Sequence, residues 1–142
     1  GAGHGAGEMQ LAAAALLVEA ATMDQEFDAA ERETITRLVC ARFGLARHEA
    51  EDLLARAERA VAGSTQLLPF TRVVKDRFSY EERIQLMEML WEVVYADGRL
   101  HDYEAHLLRR IGGLIYVPDK ERGAARKRVL ARLGLADEGA ST

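Results

Sequence analysis

YADGRLHDYEAHLL, Tyr95–Leu108, is a polar interruption between two apolar, helix-like runs. An Asp-Gly sits at one end of the break, and a Glu follows seven residues after the Asp. The run before it, SYEERIQLMEMLWEVV, is apolar on most of its faces and opens with Ser79-Tyr80-Glu81-Glu82, the signature of a helix N-cap. The run after it carries apolar residues at helical spacing up to Gly112-Gly113. The unit therefore reads as helix, break, helix.

Working outward, the same layout appears 73 residues upstream in TMDQEFDAAERETI, Thr22–Ile35. At that offset Leu17 aligns with Leu90, Glu19 with Glu92, Asp24 with Asp97, Phe27 with Leu100, Glu31 with Glu104, Ile35 with Leu108 and Leu38 with Ile111. Two copies are too few for a solenoid. They suit a compact all-α bundle built from two pseudo-twofold-related helical hairpin repeats, at about residues 11–44 and 80–116.

Periodicity predicts about seven helices in all. The first covers Leu11 to Met23. Asp28 starts the second, with Asp28-Ala29-Ala30-Glu31 resembling a capping box, and Gly44 ends it. The third runs from about Arg47 to Ala62. Ser64 is expected to cap a shorter fourth helix with Pro69 near its start. The fifth, after Ser79, is expected to be the central and most buried one. The sixth covers Asp102 to Ile115, and Pro118 suits the first turn of a seventh that Gly134 ends. Strand signals are nearly absent.

The 142 residues form one domain, expected over 9–135, between a flexible glycine-rich leader (1–8) and a loose tail (136–142). No signal peptide is visible, and no apolar run approaches the ~20 residues of a membrane span. Cys40 is the single cysteine, which excludes an internal disulfide and a cysteine-based zinc site. A cytoplasmic setting is expected.

The net charge of −4 conceals a gradient. Residues 8–60 hold 11 acids and 6 bases (−5), 61–104 hold 8 and 5 (−3), 105–135 hold 2 and 8 (+6), and the last seven residues add −2. The basic segment reads as an amphipathic helix with a solvated, arginine-rich face. In an acidic chain without a recognition motif, nucleic-acid binding is not expected.

The carboxylates of the breaks divide into two kinds. Glu31 and Glu104 fall in the first turn of a helix, where an acid can accept a backbone N–H and meets the positive end of the dipole. Asp24 and Asp97 sit at or just beyond a helix C-terminus, and Glu19 and Glu92 in the last turn before it. There a negative charge is disfavoured by roughly 0.3–1 kcal/mol. Three explanations stand: an Asx turn, an ion pair with an arginine of the neighbouring hairpin, or a cation. Oxygen-only acidic clusters suit calcium or magnesium. The first break fails the EF-hand pattern, having Ala29 where the sixth-position glycine belongs and Ile35 where the twelfth-position acid belongs. His101 and His106 are five apart, a poor spacing for a zinc pair on one helix face.

LWEVVYADGRLHDYEAHLLRRI resembles the signature of the TerB-like proteins, the B component of bacterial tellurite-resistance systems, and LLVEAATMDQEFDAAERETITRL resembles the first repeat of that family. The resemblance covers about Leu11 to Leu135. The second repeat matches in full, and the first departs by Gln25 in place of glycine. The resemblance implies an all-helical fold with pseudo-twofold symmetry and a cytoplasmic bacterial protein of the metal-stress response. It also implies a membrane-associated protein partner and a divalent cation held by Asp24, Glu31, Asp97 and Glu104, with Glu19 and Glu92 behind them. It implies no enzymatic reaction. No Ser-His-Asp order, phosphate-cradling glycine loop or Cys–His pair is present either. The competing expectation is a metal-free helical interaction scaffold whose acids are caps and ion pairs.

Overall fold

The computed structural model describes residues 2–23, 27–63, 66–96, 98 and 100–136, with side chains from Gly7 onward. Among them are seven helices and no strand: α1 Ala2–Ala21, α2 Ala29–Phe43, α3 Arg47–Ala62, α4 Leu68–Arg77, α5 Tyr80–Val94, α6 Asp102–Leu114 and α7 Asp119–Leu133. The all-α expectation is met.

The caps follow the sequence closely. Asp28 Oδ1 accepts from Glu31 N at 2.7 Å, and Ser79 Oγ accepts from Glu82 N at 3.1 Å. Pro69 lies in the first turn of α4, where its missing N–H leaves no bond unmade. Two expectations are corrected here. The N-cap residue of α4 is Leu67, and Ser64 lies outside the described residues. Helix α1 reaches back to Ala2, through the stretch expected to be a leader, and Glu8 contacts α4 through Arg77 at 3.4 Å. The tail residues 137–142 lie outside the described residues.

The core centres on two helices rather than on α5 alone. Helix α1 packs against α2, α3, α4, α5 and α6, while α5 packs against α1, α2, α6 and α7. Every residue from Ala12 to Val18 is buried. A helix that is apolar all round belongs in the interior, and the alanines let neighbours approach from every side. In α5, Leu86, Met87, Leu90, Trp91, Val93 and Val94 are buried. Trp91 donates its indole N–H to the Arg122 carbonyl at 3.3 Å, which anchors α7.

Three helices end in a left-handed residue whose successor bonds back across the last turn. Leu45 N reaches Cys40 O at 3.2 Å, Leu135 N reaches Leu130 O at 3.0 Å, and Val117 N reaches Gly112 O at 2.9 Å. The left-handed residue is Gly44 in the first (φ 65°) and Gly134 in the second (φ 69°). In the third it is Tyr116, at φ 62°. A bulky L-residue there carries strain of about 1 kcal/mol. Arg83 of α5 braces this turn, donating through Nη1 to the carbonyls of Ile115 (2.8 Å) and Tyr116 (3.4 Å). Those carbonyls have no partner within the helix, and a cation at this end also suits the dipole.

The arginine-rich face of α7 is half-exposed, and three of its arginines also bond to α5. Arg128 Nε donates to Glu88 at 3.0 Å, Arg132 donates to Glu88 (2.7 Å) and Glu92 (3.1 Å), and Arg126 Nε donates to the Tyr95 hydroxyl at 2.9 Å. The hydrogen bond to Glu88 is the main cause raising the Arg132 pKa. The basic segment therefore spends part of its charge inside the fold.

Candidate functional site: the two acidic breaks

The breaks span residues 22–28 and 95–101, seven residues each by the helix bounds. Helix ends recur at the 73-residue offset: Ala21 with Val94, Asp28 with His101, Ala29 with Asp102. At the start of the first break, Thr22 Oγ1 donates to the Val18 carbonyl at 2.9 Å. In the second, Gly98 N donates to Tyr95 O at 2.8 Å, and Gly98 adopts φ 84°, a conformation that the Asp-Gly pair supplies readily. Its counterpart Gln25, like Glu26, lies outside the described residues.

Glu31 and Glu104 occupy equivalent places. Glu31 Oε1 accepts from Asp28 N at 3.2 Å, and Glu104 Oε1 accepts from His101 N at 3.0 Å. Both residues are buried, at 8% and 6% exposure. Each break thus holds one buried, oriented carboxylate, and burial of an unpaired charge would be far more costly.

Glu92 is also buried, but both of its oxygens are taken by arginines. Oε2 accepts from Arg37 of α2 at 3.1 Å and Oε1 from Arg132 of α7 at 3.1 Å. This is the ion pair with the neighbouring hairpin that the sequence left open as one explanation for a last-turn acid. Glu19 differs from its counterpart. It is half-buried and lines a cavity of about 150 Å³ together with Met23, Leu67, Phe70, Leu107 and Arg110. Arg110 stands 73 residues after Arg37, so the two repeats place the same acid and the same base across from one another. One pair closes; the other forms walls of an open cavity. Arg37 and Arg110 were not singled out in the sequence, although applying the repeat offset to every charged residue finds them.

Asp24 and Asp97, the remaining candidates, lie outside the described residues. A second cavity of about 250 Å³ borders the second break, lined by Thr34, Arg37, Glu92, Tyr95, Ala96 and Gly98 with Leu133 and Leu135. Each break therefore faces the second helix of the other hairpin: Met23 shares a cavity with Leu107 of α6, and Ala96 shares one with Thr34 of α2. Among the described residues no three His, Cys, Asp or Glu side chains come together as a metal cluster. His101 stacks on Tyr103 at 5.3 Å between ring centroids.

A family model described as tellurite resistance protein TerB matches residues 10–127, spanning both breaks, the whole of α2 to α6 and parts of α1 and α7. The chain belongs to the TerB family. Comparison with curated proteins and with solved structures gives no match. Among the described residues of this TerB-family chain, no helix is long and apolar enough to cross a membrane. For a divalent cation the described carboxylates would fit in chemistry, since all are oxygen ligands. They supply one buried carboxylate at each break.

Proposed function

We propose that the chain is a non-enzymatic, cytoplasmic module of the tellurite and metal-stress response. In this reading it binds a divalent cation, calcium or magnesium, through its two helix–break–helix segments and engages a membrane-associated protein partner. The supporting observation is the duplicated buried carboxylate. Glu31 and Glu104 are each held by a backbone N–H at the edge of a break that also carries Asp24 or Asp97. A bound cation would offset the dipole penalty of those aspartates and tie each break to the helix after it. Glu92 is assigned to the ion pairs it makes.

A metal-free scaffold is the second reading, and Glu92 favours it, because one last-turn acid is already explained by arginines. Titration calorimetry with Ca²⁺, Mg²⁺, Mn²⁺ and Zn²⁺ separates the two. The cation reading expects heat with at least one ion that vanishes in Asp24→Asn combined with Asp97→Asn. No heat with any of the four, and unchanged melting of that double variant, leaves the scaffold.

A further inference from the structure

We infer that the groove between α4 and the C-terminal turn of α6 is a docking site for an acidic segment of a protein partner, with Tyr116 as its aromatic anchor. This deepens the partner half of the reading above and is independent of the cation half.

The first observation is where the tyrosine stands. Of the three left-handed helix ends, two use glycine and the third uses Tyr116, whose residue is 66% exposed. A strained backbone position is thus occupied by a ring that adds little burial to the fold. Glycine would relieve the strain. The ring is also held in place. Arg83 fixes the carbonyls of its turn, and the Lys75 ammonium lies 5.4 Å from the ring centroid.

The second observation is the concavity beside it. Leu68, Thr71, Arg72 and Lys75 fall at i, i+3, i+4 and i+7 on α4 and form one wall, opposite Gly113, Leu114 and Tyr116. The cavity is about 220 Å³, several times the ~30 Å³ that one water takes up in the liquid. Leu68 is 45% exposed at its rim. Gly113 lines the groove with open space beside it, since a Cβ there would meet nothing within 4 Å. Tyrosine and arginine beside a hollow are residue types enriched at protein interfaces.

The third observation is charge. Arg72 and Lys75 line the groove, Arg83 holds the carbonyls of the turn beside it, and Asp76, exposed and 3.6 Å from Lys75, is the one acid paired with them among the described residues. A peptide with an apolar side chain for the hollow and carboxylates for the rim fits this surface. A flat bilayer would not fill the hollow.

The test uses the full chain and a fluorescein-labelled peptide in which glutamates flank a Leu-Phe pair, with a lysine-for-glutamate counterpart as control. Binding is followed by fluorescence anisotropy, in EDTA and again with Ca²⁺, so that loss of the cation reading leaves the result standing. The acidic peptide should bind, and binding should weaken with salt. Tyr116→Gly should weaken it about tenfold or more while raising the melting temperature by about 3 °C. Gly113→Met should block the groove in a folded protein. The proposal is overturned by absent binding, by equal binding of the lysine peptide, by variants that bind like the parent, or by a lowered melting temperature in Tyr116→Gly. Capture by phosphatidylglycerol vesicles without peptide binding would move the surface to lipid and also overturn it.

Discussion

A glutamate three residues into a helix has a backbone donor within reach, and Glu31 and Glu104 both use it. Whether the same carboxylates also meet a cation is a question of charge rather than of shape. Glutamine keeps an acceptor oxygen of the same reach but loses the charge. Glu31→Gln and Glu104→Gln are therefore expected to melt near the parent, whereas Glu31→Ala and Glu104→Ala each lose about 1 kcal/mol. In the cation reading both glutamine variants also lose the calorimetric heat. Melting curves of the four variants beside the titration check both halves. Asp24 and Asp97 invite this treatment because their sequence position carries the dipole penalty twice.

At the scale of elements, Glu92 of α5 joins the two hairpins through Arg37 of α2, and Glu92 and Glu88 together tie α7 to α5. The arginines are half-exposed, so each bond is screened, but Glu92 itself is buried and oriented. Glu92→Ala is expected to cost about 1–2 kcal/mol. Its effect should appear first as faster hydrogen exchange in α7. A contrasting tether joins α2 to α3 on the surface, where Arg47 grips Glu33 with two nitrogens (2.9 and 2.6 Å). That hydrogen bond holds the Glu33 carboxyl below its ordinary range. Its contribution is present above the ordinary carboxylate pKa and fades as pH falls through the lowered one.

At the scale of the molecule, everything hangs on α1 and α5. Five helices rest on α1, whose alanines leave no room for growth. Ala14→Leu is expected to destabilise by about 1–3 kcal/mol through overpacking. Because one core serves all the helices, melting followed by far-ultraviolet dichroism and by Trp91 fluorescence should coincide, in the parent and in this variant. Separate transitions would mean that the hairpins fold as independent units.

Much of this molecule was written locally. The capping residues Asp28 and Ser79, the terminators Gly44 and Gly134, and the bounds of α3 depend on backbone groups a few residues away, and the sequence determined them. The repeat, and with it the acids Glu31, Glu92 and Glu104, was legible for the same reason: periodicity is a property of the chain alone. Partners distant in sequence were not. Glu92 finds Arg37 across 55 residues and Arg132 across 40, and nothing local tells a paired last-turn acid from a free one. Helix α1 became a hub because its small side chains accept neighbours on every side, which only packing reveals. The left-handed Tyr116 was hidden for a similar reason. Its strain opposes local preference, and Arg83, from another helix, helps to hold the turn that presents it.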